Sequence, residues 1–276
     1  MLHLTRRATL AGLAAFAATP TCAAPKVLRD VAYGGHALQR YDVYLPESTP
    51  KGPMVVFMHG GGWQYGDKGN DAVWEAKAAH WTGRGLGFVS VNTRLLPEAD
   101  PLQQATDLAR GISHIQANAA SWGLDTKRMA LMGHSAGAHL VALLGADPGL
   151  ARQWGAHPWA ATVPLDTEVY DAETTMRRRP SRIHRAAFGE SRAFWERASP
   201  RARLQTGTAP FLLVCSTKRR GPLPAARAFA RQVKARGGRA EVLEVALSHS
   251  AINSTLGMPG PYTDRVDQFL ASTGVG

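Results

Sequence analysis

Cysteine is scarce in this sequence of 276 residues, because only Cys22 and Cys215 carry a thiol. Two thiols are too few for a disulfide framework or a thiolate zinc site. Long apolar runs are also missing: none approaches the roughly 20 residues that a helix needs to cross a bilayer, which argues against an integral membrane protein. With 45% hydrophobic and 19% charged residues, the composition is that of a globular chain and excludes a disordered or collagen-like one.

Acidic residues are few as well. Asp and Glu number 21 against 32 Lys and Arg, so the formal net charge is +11. The excess lies mainly in segment 174–220, which contains twelve Lys and Arg but only Glu190 and Glu196. Such a segment would attract anionic small molecules if it lay over a binding site, and an arginine-rich solvated surface is the alternative. No nucleic-acid-binding motif accompanies it, so we expect no nucleic-acid partner.

The first residues have the order of an export signal. Arg6 and Arg7 form a twin-arginine pair, a short apolar stretch follows, and the segment ends in small residues. This order is typical of a signal peptide. We therefore expect residues 1–24 to be a twin-arginine-type signal peptide, residues 25–276 to form the mature domain, and the protein to be periplasmic or secreted from a bacterium.

Strand-like and helix-like segments alternate along the mature chain. Short, continuous apolar runs are typical of strands buried on both faces of a parallel sheet. Strands are predicted at 55–58, 87–91, 129–132, 160–165, 211–215 and 241–245, and helices at 101–120, 223–236 and 262–270. The alternation predicts an α/β fold with a doubly wound, mainly parallel sheet.

One motif points to a nucleophile. Residues Gly133–Gly137 read Gly-His-Ser-Ala-Gly, and they stand between the predicted strand 129–132 and a helix-like segment, 138–144. A serine on a sharp strand-to-helix turn is exposed, and the helix N-terminus directs amide groups towards negative charge nearby. This setting favours Ser135 as a nucleophile over a glycine-rich turn without chemistry.

A second motif supplies backbone donors. His59-Gly60-Gly61-Gly62-Trp63 follows the predicted strand 55–58 directly. Consecutive glycines allow several amide groups to converge on one point, which is what an oxyanion hole requires. Because the motif precedes the serine at the end of an earlier strand, we interpret it as an oxyanion loop and not only as a tight turn.

These motifs resemble the α/β-hydrolases of the hormone-sensitive-lipase-like and feruloyl-esterase-like branch, with kynurenine formamidases nearby. The blocks that carry the resemblance are Tyr41–Pro46, His59–Trp63, Gly66–Lys68 and Gly133–Leu140, within a region from about Tyr41 to Leu270. The resemblance implies an eight-stranded sheet and a small, Arg-rich cap insertion after the sixth strand, at roughly residues 167–205.

The same resemblance assigns parts of a catalytic site. It implies that Ser135 is the nucleophile and that Gly61, Gly62 and the amide of Ala136 are oxyanion donors. Trp63 is an alternative donor, because some members use the residue after the glycines.

The general base is expected late in the chain, because hydrolases of this type order their residues as Ser, acid, His. His249 follows the predicted strand 241–245, where the family carries its catalytic histidine. Imidazole can accept the serine proton near neutral pH. His59 and His134 lie inside the two glycine motifs and His139 lies on the helix behind the nucleophile, so we expect structural roles for them.

The acid is where the pattern departs from the family. An Asp usually follows the strand equivalent to 211–215, yet the loop 216–222 contains cations and no carboxylate. Asp166, at the end of the predicted strand 160–165, is our choice. Glu168 and Asp171 are alternatives, and so is a Ser135–His249 dyad without an acid.

The sequence therefore predicts a serine hydrolase that cleaves small or anionic esters through an acyl-enzyme, with neither a metal ion nor an organic cofactor. An amidase or arylformamidase is the alternative within the same class of enzyme. A hydrolase-fold binding protein with weak turnover is the alternative of another class, motivated by the missing acid.

Overall fold

The computed structural model describes residues 26–47, 50–178 and 180–276. The expected signal peptide, residues 1–24, lies outside the described residues, and so does Arg179. Within those ranges, no helix combines the length and the apolarity that a membrane crossing requires.

The described chain alternates strands and helices along most of its length. The strands are β1 (Lys26–Ala32), β2 (Arg40–Leu45), β3 (Gly52–Met58), β4 (Gly87–Val91), β5 (Leu124–His134), β6 (Ala161–Leu165), β7 (Phe211–Ser216) and β8 (Ala240–Val245). The α-helices are α1 (Asp71–Gly83), α2 (Pro101–Asn118), α3 (Ala136–Ala146), α4 (Gly149–Arg152), α5 (Ala172–Arg177), α6 (Arg182–Phe188), α7 (Arg192–Arg197), α8 (Pro200–Arg203), α9 (Pro222–Ala235), α10 (His249–Ser254) and α11 (Pro261–Ser272). A 3₁₀ turn at Ala119–Trp122 extends α2.

All eight strands form one sheet in the order β1-β2-β4-β3-β5-β6-β7-β8. β2 runs antiparallel to both of its neighbours, whereas every pair from β4 to β8 is parallel. Sequential elements thus alternate between the sheet and its two faces. The prediction of a doubly wound, mainly parallel, eight-stranded α/β-hydrolase sheet is confirmed.

The core has two layers because successive side chains of a buried strand point to opposite faces. In β3, Val56 packs in the cluster that contains α2 and α3, whereas Val55 and Phe57 pack in the cluster that contains α1, α10 and α11. All residues of β3, β4, β6 and β7 are buried. The helices on both faces fix these strands, and with them the loops at their carboxyl ends.

Two strands and one of the longer helices were not predicted. β1 is an edge strand with mostly exposed side chains, so it has no apolar run. β2 buries Asp42 and α1 buries Lys77, and each of these charged residues interrupts the apolar pattern that identifies a strand or a helix.

A run of four short helices, α5 to α8, separates β6 from β7. They replace the single helix that usually links neighbouring parallel strands. Three of the four begin with an Asp or Ser whose side chain accepts a backbone N–H of the first turn: Asp171 for α5, Ser181 for α6 and Ser191 for α7. These caps give short helices defined starts. We call residues 172–203 the cap segment.

Candidate active site

Ser135 occupies the turn between β5 and α3. Its backbone has φ 55° and ψ −114°, a conformation that non-glycine residues rarely adopt. Ser135 N–H donates to the carbonyl of Leu165 at 2.9 Å, which holds the turn against β6. The close packing depends on Gly137, because a Cβ there would lie 2.3 Å from the carbonyl oxygens of Met58 and His59. The turn therefore presents the serine hydroxyl at the carboxyl edge of the sheet.

His249 is the first residue of α10, which follows β8, and its side chain contacts Ser135. Its Nε2 lies 2.9 Å from Ser135 Oγ. His134 supports it from below, since the two rings are 4.5 Å apart between centroids and His134 Nε2 lies 2.9 Å from the His249 carbonyl. Burial lowers the pKa of His134 to about 3. His134 is therefore neutral at pH 7 and donates its Nε2–H to that carbonyl.

Asp166 follows β6 directly, and its carboxylate is fully buried. Oδ2 lies 2.6 Å from His249 Nδ1, and Oδ1 accepts the Ser216 N–H at 2.9 Å. Burial raises the pKa of Asp166, but hydrogen bonds from His249, Ser216 and Arg219, together with the charge of Arg219, outweigh it and lower the pKa to about 2. The ionised carboxylate fixes the imidazole with its proton on Nδ1 and leaves Nε2 free to accept from Ser135.

The other acids that the sequence left open contact different groups. Glu168 Oε1 lies 3.7 Å from His184 Nε2. Asp171 accepts from Thr174 N–H and pairs with Arg201 at 2.9 Å. The structure thus brings Asp166, and neither alternative, to His249, so the missing acid that motivated a binding protein with weak turnover is present in the fold.

Arg219 contacts both Asp166 and His249, and the sequence did not predict this. Its Nη1 donates to Asp166 Oδ2 at 2.8 Å and to the Asp166 carbonyl at 3.2 Å, and it lies 3.1 Å from His249 Nδ1. The loop after β7, where the family pattern places an acid, thus contributes a cation bound to an acid from β6. The only signal in the sequence was the unexpected charge of the loop.

The glycine motif lies beside the serine because β3 and β5 are adjacent and parallel. A Cβ on Gly60 would lie 3.1 Å from Ser135 Cβ. Gly61 and Gly62 have φ of 128° and 62°, conformations in which a side chain would be strained. Among the described residues, neither glycine donates its N–H to a backbone carbonyl. Ala136 opens α3, and the first N–H groups of a helix have no partner within it.

The glycine motif is packed against buried side chains, among them Trp63, His59 and His139. Trp63 is buried and its Nε1 donates to His139 Nδ1 at 3.3 Å, while His139 Nε2 donates to the Ala198 carbonyl at 2.8 Å. Burial lowers the pKa of His139 to about 4 and lowers that of His59. The side chains of Trp63 and His139 thus support the loop through hydrogen bonds, in agreement with the role expected for His139.

Lys68 anchors the other end of the loop. Its ammonium group is buried and pairs with Asp42 of β2 at 2.8 Å and with Asp30 of β1 at 2.7 Å. Its N–H donates to Asn92 Oδ1 at 2.6 Å. These contacts connect two of the sequence blocks that carried the family resemblance, Tyr41–Pro46 and Gly66–Lys68.

The cap segment reaches over the oxyanion loop. Ile183 of α6 lies on Gly62, where an added Cβ would come within 2.6 Å of its Cγ2. The next residue, His184, packs against the Trp63 ring at 6.1 Å between centroids. Ile183 is 46% exposed, so an apolar surface borders the loop at the mouth of the site.

Carboxylates outside the Arg-rich segment neutralise part of its charge. The pairs are Arg177 and Arg192 with Glu173, Arg201 with Asp171, Arg203 with Asp147, and Arg219 with Asp166. Arg178 and Arg220 instead line a cavity of about 480 Å³ between the cap segment and α9, together with Glu168 and His184. In the described ranges, no group of His, Cys, Asp and Glu side chains has the arrangement of a metal site.

The BD-FAE family model matches residues 41–220 of this chain. A probable isoprenylcysteine alpha-carbonyl methylesterase from Oryza sativa subsp. japonica is 36% identical over 118 residues, which are 42% of this chain and 27% of that protein. Kynurenine formamidase from Danio rerio is 35% identical over 121 residues, 43% of this chain and 39% of that protein. The chain thus spans well under half the length of these two relatives.

Solved structures share the fold. A truncated form of a carbohydrate esterase from gut microbiota superposes with a TM-score of 0.78 at 18% identity, covering 93% of this chain and 99% of that one. At this level of identity the likeness concerns the fold alone.

Proposed function

This chain belongs to the BD-FAE family of α/β-hydrolases, and on that premise we propose that it is a serine carboxylesterase. The observation that carries the proposal is the continuous path of hydrogen bonds from Ser135 Oγ through the His249 ring to Asp166, with distances of 2.9 and 2.6 Å. A serine hydroxyl becomes a nucleophile when an adjacent base can take its proton and a third group orients that base.

The proposed reaction has two halves. Ser135 Oγ attacks the ester carbonyl, His249 Nε2 takes the hydroxyl proton, and the amides of Gly61, Gly62 and Ala136 bind the oxyanion. His249 then gives the proton to the leaving alcohol as the carbon–oxygen bond breaks, which leaves an acyl-serine. A water molecule, deprotonated by His249, attacks that acyl group, and the proton returns to Ser135 Oγ as the acid leaves.

Hydrolysis of p-nitrophenyl acetate tests this proposal. We expect Ser135→Ala to lower kcat/KM by on the order of a thousandfold or more, because a triad acts as a unit. Ser121→Ala, which changes an exposed serine outside the site, is the matched control and should keep wild-type activity. A purified, folded Ser135→Ala variant with most of the wild-type rate would contradict the assignment.

Amide cleavage is the second candidate, and the likeness to kynurenine formamidase favours it. The same nucleophile, base and oxyanion loop serve both reactions, but an amide needs a stronger proton donor for its poorer leaving group. Comparing kcat/KM for p-nitrophenyl acetate and N-formylaniline distinguishes the two. Preference for the formamide by tenfold or more, on the order of 1.4 kcal/mol, would make the amidase the better description.

We propose further that the substrate carries a negative charge. Arg178 and Arg220, which both line the cavity beside His184, support this, because guanidinium groups suit carboxylates. The kcat/KM for a carboxylate-bearing ester should fall between about 0.1 M and 1 M salt, as the screening length falls from about 10 to 3 Å, while the kcat/KM for a neutral ester should change little.

The double variant Arg178→Gln, Arg220→Gln should reduce this salt dependence more than the control variant Arg177→Gln, because the Arg177 guanidinium already pairs with Glu173. Equal responses for both esters would contradict an anionic substrate.

Export remains a proposal supported by the first 24 residues alone. Changing Arg6 and Arg7 to Lys should block the appearance of a processed form in the periplasm, since twin-arginine recognition requires the pair. Normal processing of the double variant would contradict this route.

A further inference from the structure

We propose that Arg219 is a positioning residue for the triad: it clamps Asp166 at the end of β6, and its charge determines how far the pH can fall before His249 stops acting as a base. The inference rests on the proposed function, because it concerns the same Ser135–His249–Asp166 path. It goes beyond the triad in assigning a role to a cation at the position where the family pattern places the acid.

The geometry shows why Arg219 acts through Asp166. Arg219 Nη1 binds both Oδ2 and the backbone carbonyl of Asp166, at 2.8 and 3.2 Å. Asp166 has a backbone φ of 56°, and its N–H donates to the Val214 carbonyl of β7 at 2.8 Å. Oδ1 is fixed by the Ser216 N–H at 2.9 Å. Together the two donors set the rotation of the carboxylate, so that Oδ2 faces the imidazole.

The contact between Arg219 and the imidazole is repulsive in character. A guanidinium is always protonated and only donates. His249 Nδ1 carries the proton that it donates to Asp166 Oδ2 at 2.6 Å, so the Arg219 Nη1 at 3.1 Å from Nδ1 meets another donor. The pair is held together by the carboxylate between them. When His249 gains a second proton, the imidazolium stands against the positive charge of Arg219.

Other titratable groups lie on the elements around His249. Asp166 from β6 is ionised, and the ring of His134 from β5 stays neutral because burial lowers its pKa to about 3. Tyr262 of α11 is neutral, since burial raises its pKa. Burial lowers the pKa of Lys77 in α1 to about 7, and its ammonium contacts the Asn253 carbonyl at 2.6 Å.

Further groups come from the turn after β6, from α6 of the cap segment and from the loop after β7. Glu168 and His184 face each other at 3.7 Å, and burial lowers the pKa of His184. Lys218 is exposed on the same loop as Arg219. Of all these groups, Arg219 is the cation in contact with the triad, so its removal changes the charge at the imidazole most directly.

The test measures kcat/KM for the neutral ester p-nitrophenyl acetate across the acid limb in wild type, Arg219→Gln, Arg219→Lys and Lys218→Gln. The acid limb of kcat/KM reports protonation of the free enzyme's base. The midpoint of the acid limb should rise by about half to one pH unit in Arg219→Gln, because the cation that opposes the imidazolium is removed. The shift is no larger because the Arg219 side chain is about one-third exposed, and solvent screens its charge. KM should change by less than about twofold, since in this proposal Arg219 acts through Asp166 and not on the substrate.

The variants separate positioning from structure. Arg219→Lys keeps the charge on a shorter side chain, so its midpoint should lie between those of wild type and Arg219→Gln. Lys218→Gln removes one charge from an exposed neighbour and should leave the midpoint unchanged. If Arg219 were only structural, its replacement would lower kcat and leave the midpoint of the acid limb where it is in wild type. Acid limbs of kcat/KM that superimpose for wild type and Arg219→Gln would overturn the proposal. If Arg219→Gln does not fold, Arg219→Met, which also removes the charge, takes its place, and a limb that superimposes on that of wild type overturns the proposal equally.

A second readout does not depend on turnover. The His249 ring protons, assigned in NMR spectra by comparison with His249→Asn, titrate with the imidazole in wild type and in Arg219→Gln. The same upward displacement is expected there. A displaced titration in a protein that hydrolyses no ester would reject the proposed function and keep the electrostatic role of Arg219, whereas identical titrations in an active esterase would reject Arg219 and keep the function.

Discussion

At the residue scale, the pKa of Asp166 results from two opposing effects. Burial disfavours its charge, while the Ser216 amide, the Arg219 guanidinium and the His249 imidazole favour it, and the balance lowers the pKa to about 2. The carboxylate therefore stays ionised throughout the range in which an esterase works. Its role in the account is to keep the imidazole proton on Nδ1 and to stabilise the imidazolium.

Asp166→Asn tests that role. The amide would remove the charge and offer a donor to Nδ1, so the imidazole would adopt the wrong tautomer. We expect kcat for p-nitrophenyl acetate to fall by on the order of 10³ to 10⁴, the scale known for a serine protease triad. Glu168→Gln and Asp171→Asn, the other acids that the sequence left open, should each cost less than about tenfold. A loss below tenfold in Asp166→Asn would mean that Ser135 and His249 work as a dyad.

The sequence predicted these residues unequally. Ser135 and His249 stand in local patterns, a strand-to-helix glycine motif and a loop after a late strand, and such patterns are visible along the chain. Asp166 was one of several choices, because its position depends on how the ends of β6 and β8 approach each other. Arg219 could not be assigned, since only the three-dimensional contact with Asp166 explains a cation in that loop.

At the scale of elements, the site depends on close packing between the β5–α3 turn and the end of β3. Glycine at 137 allows the carbonyl oxygens of Met58 and His59 to approach α3. Since the oxyanion loop begins at His59, the same contact sets the distance between that loop and Ser135. The elbow and the loop are therefore one packed unit.

Gly137→Ala should disrupt that unit. Its Cβ would lie 2.3 Å from two backbone oxygens, and relieving such a clash costs about 3 kcal/mol. In a chain of this size, a loss of that order lowers Tm by roughly 6 to 12 °C. Thermal unfolding followed by circular dichroism measures the change, and esterase activity should fall with it.

Gly83→Ala is the matched control. Gly83 ends α1, and an added Cβ there meets no atom within 4 Å. Alanine should leave stability unchanged or raise it by up to about 1 kcal/mol, because it restricts the unfolded chain. Equal destabilisation by the two substitutions would contradict the packing account of the elbow.

The elements themselves were predicted where an apolar run or an apolar stripe marks them. The buried strands β3, β4, β6 and β7 show as apolar runs, and α2 shows an apolar stripe that begins at its Asp100 cap. β2 and α1 were missed because Asp42 and Lys77 are buried on their inner faces. Their partners are distant in sequence: Lys68 pairs with Asp42, and the Asn253 carbonyl accepts a hydrogen bond from Lys77. A sequence pattern does not reveal such partners.

At the scale of the whole molecule, buried neutral histidines make the stability depend on pH. Burial lowers the pKa of His134 to about 3, lowers that of His139 to about 4, and lowers that of His59. In the unfolded chain these groups titrate near pH 6.5. Below that value the unfolded state binds more protons than the folded state, so stability falls as the pH falls.

The free energy of unfolding should therefore decrease between pH 7 and pH 5. Each histidine contributes up to about 1.4 kcal/mol per pH unit below about 6.5, and the loss continues until the folded-state pKa is reached. Urea unfolding at pH 7, 6 and 5 measures this decrease. In His139→Gln the unfolding free energy should fall less steeply with pH, because one buried histidine no longer contributes. A free energy that is constant from pH 7 to pH 5 would contradict the assignment of these rings as neutral and buried.

In the proposed mechanism, Ser135 is a nucleophile that His249 activates. Covalent trapping with a fluorophosphonate, followed by peptide mass spectrometry, in wild type and in His249→Ala tests this most directly. We expect a single adduct on Ser135, formed at least about a hundredfold more slowly when the base is removed. An adduct on another residue, no adduct at all, or equal labelling rates in the two proteins would contradict it.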